Sequence, residues 1–282
     1  MDAIGVIGLG LMGGALAGRF RAAGLRVVGY DPRPEALEAL SALGGEPRGS
    51  VREVFASTSV IVFSLPNSDV VAAVIADAGP LGGKRIIDAT TGDPEATTAL
   101  GAALAGRGCE YLDATLTGSS REAGEGTVVV TAGGEAHVFR RCEPLFRHFA
   151  KAWFHVGPWG SGARTKLVVN LVLGLNRAVL GEGLAFAKRA GLDPAAVLDV
   201  LRSGSAYSRV MDTKGRKMLD ADFTPDAKLS QHLKDVRLIL SEATRTGATT
   251  PLSELHERLL SELVEQGHGE SDNSCVIRAF GV

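Results

Sequence analysis

The stretch Ile4-Gly-Val-Ile-Gly8-Leu-Gly10-Leu-Met-Gly13 decides the fold. Its first half is a short apolar run that predicts a buried strand, and Leu11 to Ala23 predict a helix directly after it. Gly8, Gly10 and Gly13 form a G-x-G-x-x-G pattern, which alone is weak because 36 of the 282 residues are glycine. Placed between a strand and a helix, the pattern is typical of a dinucleotide-binding turn, where the glycines permit the tight turn, the approach of a pyrophosphate and close helix–strand packing.

An acidic residue stands where this type of fold binds the adenine ribose. Asp31 follows the second predicted strand, Arg26–Tyr30, about 20 residues after the glycine turn. Its carboxylate is expected to accept hydrogen bonds from the ribose and to repel a 2′-phosphate. Arg33 lies two residues later and would offset part of that repulsion. The sequence therefore predicts NAD as the preferred cofactor, with NADP as the alternative.

The pattern of elements changes once along the chain. Short apolar runs alternate with helical patterns in the first half, which predicts a doubly wound α/β sheet. Only helical patterns follow Ser161. We therefore predict an N-terminal Rossmann domain over residues 1–160 and an all-α domain over residues 161–282. The later strands are predicted at Ser59–Phe63, Arg85–Asp88, Glu110–Leu112, Thr127–Ala132 and Ala152–His155. The late helices are predicted at Thr165–Ala190, Pro194–Leu201, Tyr207–Met218, Leu229–Thr246 and Pro251–Gln266.

Composition and charge argue against several classes of partner. A formal net charge of −2 gives no attraction to nucleic acid or to an anionic membrane. The apolar run from Ala3 to Gly18 is broken by glycines and preceded by no basic residue, unlike a signal peptide, and Leu167 to Leu175 is interrupted by Asn170. Three cysteines without close spacing indicate reduced thiols in the cytoplasm, although Cys275 could be reactive. The six histidines show no paired ligand spacing, so no metal site is predicted.

The glycine turn is the first of six ordered segments that carry a common signal. They are Gly8–Gly13 with Met12, Ser64-Leu-Pro-Asn67, Asp88-Ala-Thr-Thr91 with Pro94, Asp113-Ala-Thr-Leu-Thr-Gly118, Gly157–Gly162 with Lys166 and Asn170, and Lys234-Asp235. In this order and spacing they resemble the β-hydroxyacid dehydrogenase family, which includes 3-hydroxyisobutyrate dehydrogenase and tartronate semialdehyde reductase. The resemblance covers nearly the whole chain.

The resemblance implies a role for each matching residue. Lys166 would be the catalytic residue. The substrate would be bound by Thr117, Gly118, Ser119 and Asn170. The cofactor would be bound by Gly8, Leu9, Gly10, Leu11, Met12, Gly13, Asp31, Leu65, Pro66, Thr91 and Lys234.

Lys166 has the chemistry that a hydroxy-acid oxidation needs. In the family the lysine stands beside the reacting oxygen, where it would accept the hydroxyl proton in oxidation and return it in reduction. An unperturbed lysine has a pKa of about 10.4, which suits a base at neutral pH poorly. A position in the first turn of a helix starting at Thr165, facing a dry cleft between the domains, is expected to lower that pKa. Asn170 lies four residues on, on the same helix face, where it would orient Lys166 and bind substrate.

Two departures from the family pattern leave the substrate open. This chain has Thr117-Gly118-Ser119-Ser120 where the family usually has Ser-Gly-Gly, and Ala227 where relatives often carry phenylalanine. The candidates are 3-hydroxyisobutyrate, glycerate with tartronate semialdehyde, and short semialdehydes.

Three other functions share parts of this architecture. An imine reductase usually lacks the lysine, 6-phosphogluconate dehydrogenase has a much longer helical domain, and a non-catalytic dinucleotide sensor would have lost the catalytic face. The apolar helical array of the second half also predicts a homodimer or homotetramer.

Overall fold

The computed structural model describes residues 3–282 and divides into two compact units. The first unit ends at Lys166, and the second runs from Leu167 to Val282. This division falls inside one long helix, whereas the boundary predicted at residues 160 and 161 falls at the start of that helix.

An eight-stranded sheet forms the centre of the first unit. Its strands are β1 Ile4–Ile7, β2 Val27–Tyr30, β3 Glu46–Pro47, β4 Val60–Phe63, β5 Arg85–Asp88, β6 Glu110–Thr117, β7 Val128–Gly134 and β8 Ala150–Gly157. The order in the sheet is β3-β2-β1-β4-β5-β6-β7-β8. The direction in which successive strands are added therefore reverses between β1 and β4, and ligands of such sheets bind at this switch point. All neighbours are parallel except β6 and β7, which are antiparallel. The predicted α/β class is confirmed, with one antiparallel pair added.

Helices cover both faces of this sheet. They are α1 Leu11–Ala22, α2 Pro34–Ala42, α3 Val51–Ser57, α4 Ser68–Asp77, α5 Pro94–Gly106, α6 Ser120–Glu125 and α7 Ala136–Phe146. Strand β4 shows why the strands are continuously apolar. Val60 and Val62 join the core on one face, and Ile61 and Phe63 join the core on the other.

The second unit is helical, as predicted. Helix α8, Ser161–Arg189, begins in the first unit and continues into this one. It is followed by α9 Pro194–Ser203, α10 Arg209–Leu219, α11 Leu229–Thr246, α12 Pro251–Leu263, a π-helical turn Val264–His268 and a 3₁₀ helix Asn273–Phe280. Gly247 ends α11 in the left-handed conformation, with φ at 73°, as glycine commonly does at the end of a helix.

Helix α8 is long and apolar enough, by length and composition alone, to cross a membrane. The sequence interpretation had dismissed this stretch because Asn170 interrupts it. The core helix of a folded domain meets the same two criteria. Leu180 and Leu184 of α8 pack with Leu229 and Leu260 in the hydrophobic core of the helical unit, which accounts for the apolar composition.

Candidate active site

The three glycines between β1 and α1 meet different steric demands. Gly8 has φ of +87°, and a Cβ there would lie 2.3 Å from the carbonyl oxygen of Ser64. A Cβ on Gly13 would lie 1.9 Å from the carbonyl oxygen of Gly8. Gly10 is open, with the Arg33 guanidinium 3.7 Å from its Cβ position, and no side chain caps the N-terminus of α1. Uncapped N–H groups beside an open glycine fit the pyrophosphate of a dinucleotide.

Asp31, at the end of β2, is buried and fully hydrogen-bonded. Its carboxylate accepts the Leu9 N–H at 2.8 Å, and Arg33 donates its backbone N–H and its guanidinium Nε and Nη2 N–H groups at 2.9 to 3.0 Å. Burial raises the pKa of Asp31, but the hydrogen bonds from Arg33 and Leu9 outweigh it, and the net shift is downward. The predicted ribose site therefore holds an ionised carboxylate paired with an arginine whose side chain is 53% exposed.

The loops after β4 and β5 are tied together at the same edge of the sheet. The Leu65 N–H donates to Thr90 Oγ1 at 3.1 Å, and the Thr90 N–H donates to Asp88 at 2.9 Å. Pro66 and Thr91 follow these residues directly. Since the carboxyl ends of parallel strands share one edge, the predicted cofactor residues of the first unit lie at the edge that holds the glycine turn.

Thr117, Gly118 and Ser119, at the end of β6, differ in how far their polar groups are already hydrogen-bonded. Within residues 3–282, the buried Oγ1 of Thr117 has no hydrogen-bond partner. Gly118 has φ of +142°, and a Cβ there would lie 2.8 Å from Val128. Ser119 caps α6: its hydroxyl accepts the Glu122 N–H at 3.2 Å, and its own N–H donates to the Glu122 carboxylate at 2.9 Å. The donors of Ser119 are therefore engaged, and its role as a substrate ligand stays a prediction.

Lys166 and Asn170 are both buried and lie one turn apart on α8. Because α8 begins at Ser161 rather than at Thr165, Lys166 is the sixth residue of the helix. The expected effect of the helix dipole on Lys166 is therefore wrong, since that effect fades beyond the first turn. The expected burial is present, at 9% exposure.

A polar contact joins α8 to α11 in the helical unit. Asn170 Nδ2 donates to Asp235 Oδ2 at 2.8 Å, and the Lys234 ammonium lies 3.0 Å from Asp235 Oδ1. Lys234, predicted to bind cofactor, is thus also half of an ion pair.

Comparison with known proteins identifies the family. Residues 3–157 match the NAD binding domain of 6-phosphogluconate dehydrogenase. Residues 160–280 match the family described as NAD-binding of NADP-dependent 3-hydroxyisobutyrate dehydrogenase. The chain belongs to the β-hydroxyacid dehydrogenase family. It is accordingly an NAD(P)-dependent enzyme that acts on the CH–OH group of hydroxy acids.

Individual members of the family align over almost their full length. The 2-hydroxy-3-oxopropionate reductase of Escherichia coli (strain K12) is 31% identical over 98% of this chain and 96% of its own. The L-threonate dehydrogenase of Cupriavidus necator is 30% identical over 98% of this chain and 95% of its own. A crystal structure of 3-hydroxyisobutyrate dehydrogenase from Salmonella typhimurium superposes with a TM-score of 0.90 at 26% identity, covering 99% of both chains.

A buried histidine pair in the helical unit of this dehydrogenase was not predicted. His232 on α11 is buried, and its Nε2 lies 3.1 Å from Nε2 of His256 on α12. Both rings pack on Gly174 of α8, where a Cβ would lie 2.5 Å from His232. Burial, aided by the positive charge of Arg177, lowers the pKa of His256 to about 4. No group of three metal-ligating side chains occurs among residues 3–282.

The low pKa of His256 predicts acid sensitivity of the helical unit. An unfolded histidine binds its proton near pH 6.5, whereas folded His256 remains neutral down to about pH 4. The free energy of unfolding should therefore fall as the pH drops from 6.5 to 4, by about 3 kcal/mol from this group. Urea unfolding followed across this range should show the loss, and His256→Gln should reduce it. His137→Gln, at a half-exposed histidine, is the control, and an equal pH slope in the His256 variant would contradict the assignment.

Three further groups needed the structure. Arg177 is buried and lies seven residues after Asn170, on the buried side of α8. Burial lowers the pKa of Arg177 to about 10, although the negative charges of Asp272 and Asp235 raise it. That helical spacing was a usable signal. Asp113 is 2% exposed and stood inside a recognised motif without being assigned a role. Cys275 is fully buried, and burial raises the pKa of its thiol to about 11, which argues against the reactive alternative.

Proposed function

We propose that this enzyme transfers a hydride between NAD(P) and the carbinol carbon of a small β-hydroxy acid, with Lys166 as the general acid and base. The dinucleotide, when bound, accepts or donates the hydride. Nζ of Lys166 takes the hydroxyl proton in oxidation and returns it in reduction. The observation that carries the proposal is a buried lysine on α8, whose first turn is hydrogen-bonded to β6, the strand that ends at Thr117.

Thr117 and Gly118 are proposed to bind the substrate carboxylate. The Thr117 hydroxyl lacks a partner among the described residues, and a buried hydroxyl without a partner is costly unless a ligand satisfies it. Gly118 lets the backbone approach because only glycine fits its conformation. Asn170 is proposed to turn its carbonyl oxygen toward the substrate hydroxyl or Lys166, since its nitrogen is held by Asp235. Ser119 and Lys234 stay in the proposed substrate and cofactor sets on the family resemblance.

The substrate is proposed to be a short acid of the 3-hydroxyisobutyrate type. Relatives are named for 2-hydroxy-3-oxopropionate and L-threonate, so acids of three or four carbons define the class to test. Purified enzyme should be assayed with NAD and NADP against 3-hydroxyisobutyrate, glycerate, threonate, serine and 4-hydroxybutyrate. Turnover of one acid supports the proposal. Reduction of a cyclic imine with none of the acids turned over would favour the imine reductase alternative.

The pair formed by Asp31 and Arg33 predicts opposite changes in cofactor preference. We propose that the wild type prefers NAD, because the Asp31 carboxylate is ionised and fixed by the Leu9 N–H. Asp31→Asn should lower the ratio of kcat/KM for NAD to that for NADP by about tenfold, the effect of about 1.4 kcal/mol. Arg33→Ala should raise it, since the exposed guanidinium would otherwise meet a 2′-phosphate. Glu38→Gln, on the exposed side of α2, is the control, and shifts of equal sign in the two variants would contradict the proposal.

We infer that two copies of the chain associate through α8. Val168, Val172, Val179 and Phe186 form an exposed apolar stripe along this helix, with Val179 67% and Phe186 73% exposed. A stripe of this kind on a long helix suits a twofold contact with the same stripe of a second copy. Phe186→Lys should halve the mass measured by light scattering, while Lys188→Ala should not change it. An unchanged mass in Phe186→Lys would contradict this interface.

The cysteines bear on the proposed location. All three are buried and unpaired, which suits a reducing compartment, and we propose the cytoplasm.

A further inference from the structure

Strand β6 carries two buried polar side chains that meet the first turn of α8. Asp113 and Thr115 are two residues apart and therefore on the same side of the strand. Asp113 Oδ2 accepts the Ala163 N–H at 2.9 Å. The Thr115 hydroxyl lies 3.1 Å from the Gly162 carbonyl oxygen, an acceptor for its proton, and 2.8 Å from the Thr131 hydroxyl on β7. The strand that ends in the proposed substrate segment is thus hydrogen-bonded to the helix that carries Lys166.

The backbones of β6 and α8 also approach each other directly, with no side chain between them. A Cβ on Gly162 would lie 2.2 Å from the Asp113 carbonyl oxygen and 2.8 Å from its Oδ2. A Cβ on Gly133, in the neighbouring strand β7, would lie 2.5 Å from Asp113 Oδ1. Glycine is therefore required at both positions, and the carboxylate is enclosed by backbone. Contact this close fixes the start of α8 relative to β6 with little freedom to shift.

Burying the Asp113 carboxylate costs free energy of desolvation that a purely structural contact would not require. Asp113 is 2% exposed, and its Oδ1 accepts no hydrogen bond from the described residues. Burial raises the pKa of Asp113 to about 6 against the opposing N–H groups of Ala163 and Gly160, so it is ionised at pH 7. The other ionisable groups near it are Asp88, its partner on β5, and Tyr111 on β6. A neutral side chain would bind these N–H groups with less desolvation.

We propose that Asp113 and Thr115 are positioning residues that hold the first turn of α8, and through it Lys166, against the substrate segment of β6. Lys166 follows Ala163 by three residues, so a small rotation or shift of the first turn displaces Nζ from the reacting oxygen. A displacement of about 1 Å can lower a rate about 100-fold. The inference rests on the proposed role of Lys166.

Asp113→Asn and Thr115→Val keep the shape of each side chain. The first removes the charge of the group that accepts the Ala163 N–H, and the second removes the hydroxyl beside the Gly162 carbonyl oxygen. Each should lower kcat by about 10- to 100-fold and leave the KM for the dinucleotide within about twofold. Each rate is measured where the variant is fully folded, so a change of stability alone would not lower kcat.

Matched controls separate positioning from folding. Thr58→Val removes an equally buried hydroxyl that donates to the Ala3 carbonyl at 2.6 Å, at the opposite edge of the sheet. Asp193→Asn changes an aspartate that caps another helix, α9, through the Ala195 N–H. Both controls should keep the wild-type kcat at temperatures where they are folded.

The deciding experiment is a double-mutant cycle with Lys166→Ala. If Asp113 and Thr115 act through Lys166, their substitutions should change the residual rate of Lys166→Ala less than twofold. If the loss of kcat in each variant were fully additive, as a free energy, to the loss in Lys166→Ala, the inference would be overturned. Wild-type kcat in the single variants would also overturn it. A Lys166→Ala enzyme of wild-type activity would instead refute the proposed function itself, so the two failures are distinguishable.

Discussion

Replacing Lys166 by alanine should lower kcat about 1,000-fold while leaving dinucleotide affinity within about twofold. The reason is that Lys166 is the group proposed to move the substrate proton, whereas the cofactor turn of β1 and α1 is built from glycines that do not depend on it. Steady-state assays in both directions, with dinucleotide binding measured by fluorescence, would test the prediction. Lys166→Arg should not restore the rate, because an arginine keeps its proton at every accessible pH.

Lys188→Ala is the matched control for this substitution. Lys188 lies on the same helix but is exposed in its last turn. Its removal should leave kcat and affinity unchanged. Retention of more than a tenth of the wild-type kcat by Lys166→Ala would contradict the assignment of the proton to this lysine.

Gly13→Ala should abolish measurable dinucleotide binding and lower the free energy of unfolding by about 3 kcal/mol. The added Cβ would lie 1.9 Å from the carbonyl oxygen of Gly8, so the glycine turn or the start of α1 must move. Either movement disturbs the N–H groups proposed to bind the pyrophosphate. Titration with NADH and urea unfolding of the same preparation would measure both effects.

Gly18→Ala provides the control on the same helix. The nearest atom to a Cβ at Gly18 belongs to Leu43 at 3.8 Å, an ordinary contact. Alanine in a helix interior should therefore stabilise the protein by about 0.5–1 kcal/mol and leave binding intact. Comparable binding by the Gly13 and Gly18 variants would show that the turn does not hold the cofactor.

The central strands of the sheet, such as β1 and β4, were predictable from sequence because they are buried on both faces. Arg85–Asp88 was predicted with its observed bounds. Strand β6 was predicted to stop at Leu112 but continues to Thr117. The polar residues in its second half, Asp113 and Thr115, are hydrogen-bonded to α8, a partner about 50 residues away in sequence. Local pattern cannot reveal such a partner.

The start of α8 was missed for the same reason. Gly160 and Gly162 weigh against a helix in any local estimate, so the predicted start fell at Thr165. Contact with β6 requires a glycine there, and tertiary packing overrides the propensity. His232 and its partner His256 lie 24 residues apart on different helices, so local pattern does not reveal the pair. The candidate site residues were predicted instead from the order and spacing of motifs, which depend on function more directly than local secondary-structure propensity does.

The departures at Ser119, Ser120 and Ala227 explain why the substrate does not follow from the family. Ser119 is occupied in capping α6, and the Ala227 N–H donates to Asp272 at 3.2 Å. These contacts fix the backbone of both segments. They do not select one hydroxy acid over another, and that choice needs an assay.

Transfer of deuterium from substrate to cofactor tests the central claim most directly. Each candidate acid, deuterated at its carbinol carbon, would be incubated with the enzyme and with NAD or NADP, and the reduced nicotinamide analysed by mass spectrometry. The account predicts deuterium in the reduced cofactor for at least one acid, and none with Lys166→Ala over the same time. Dinucleotide binding without deuterium transfer from any of the five acids would contradict it.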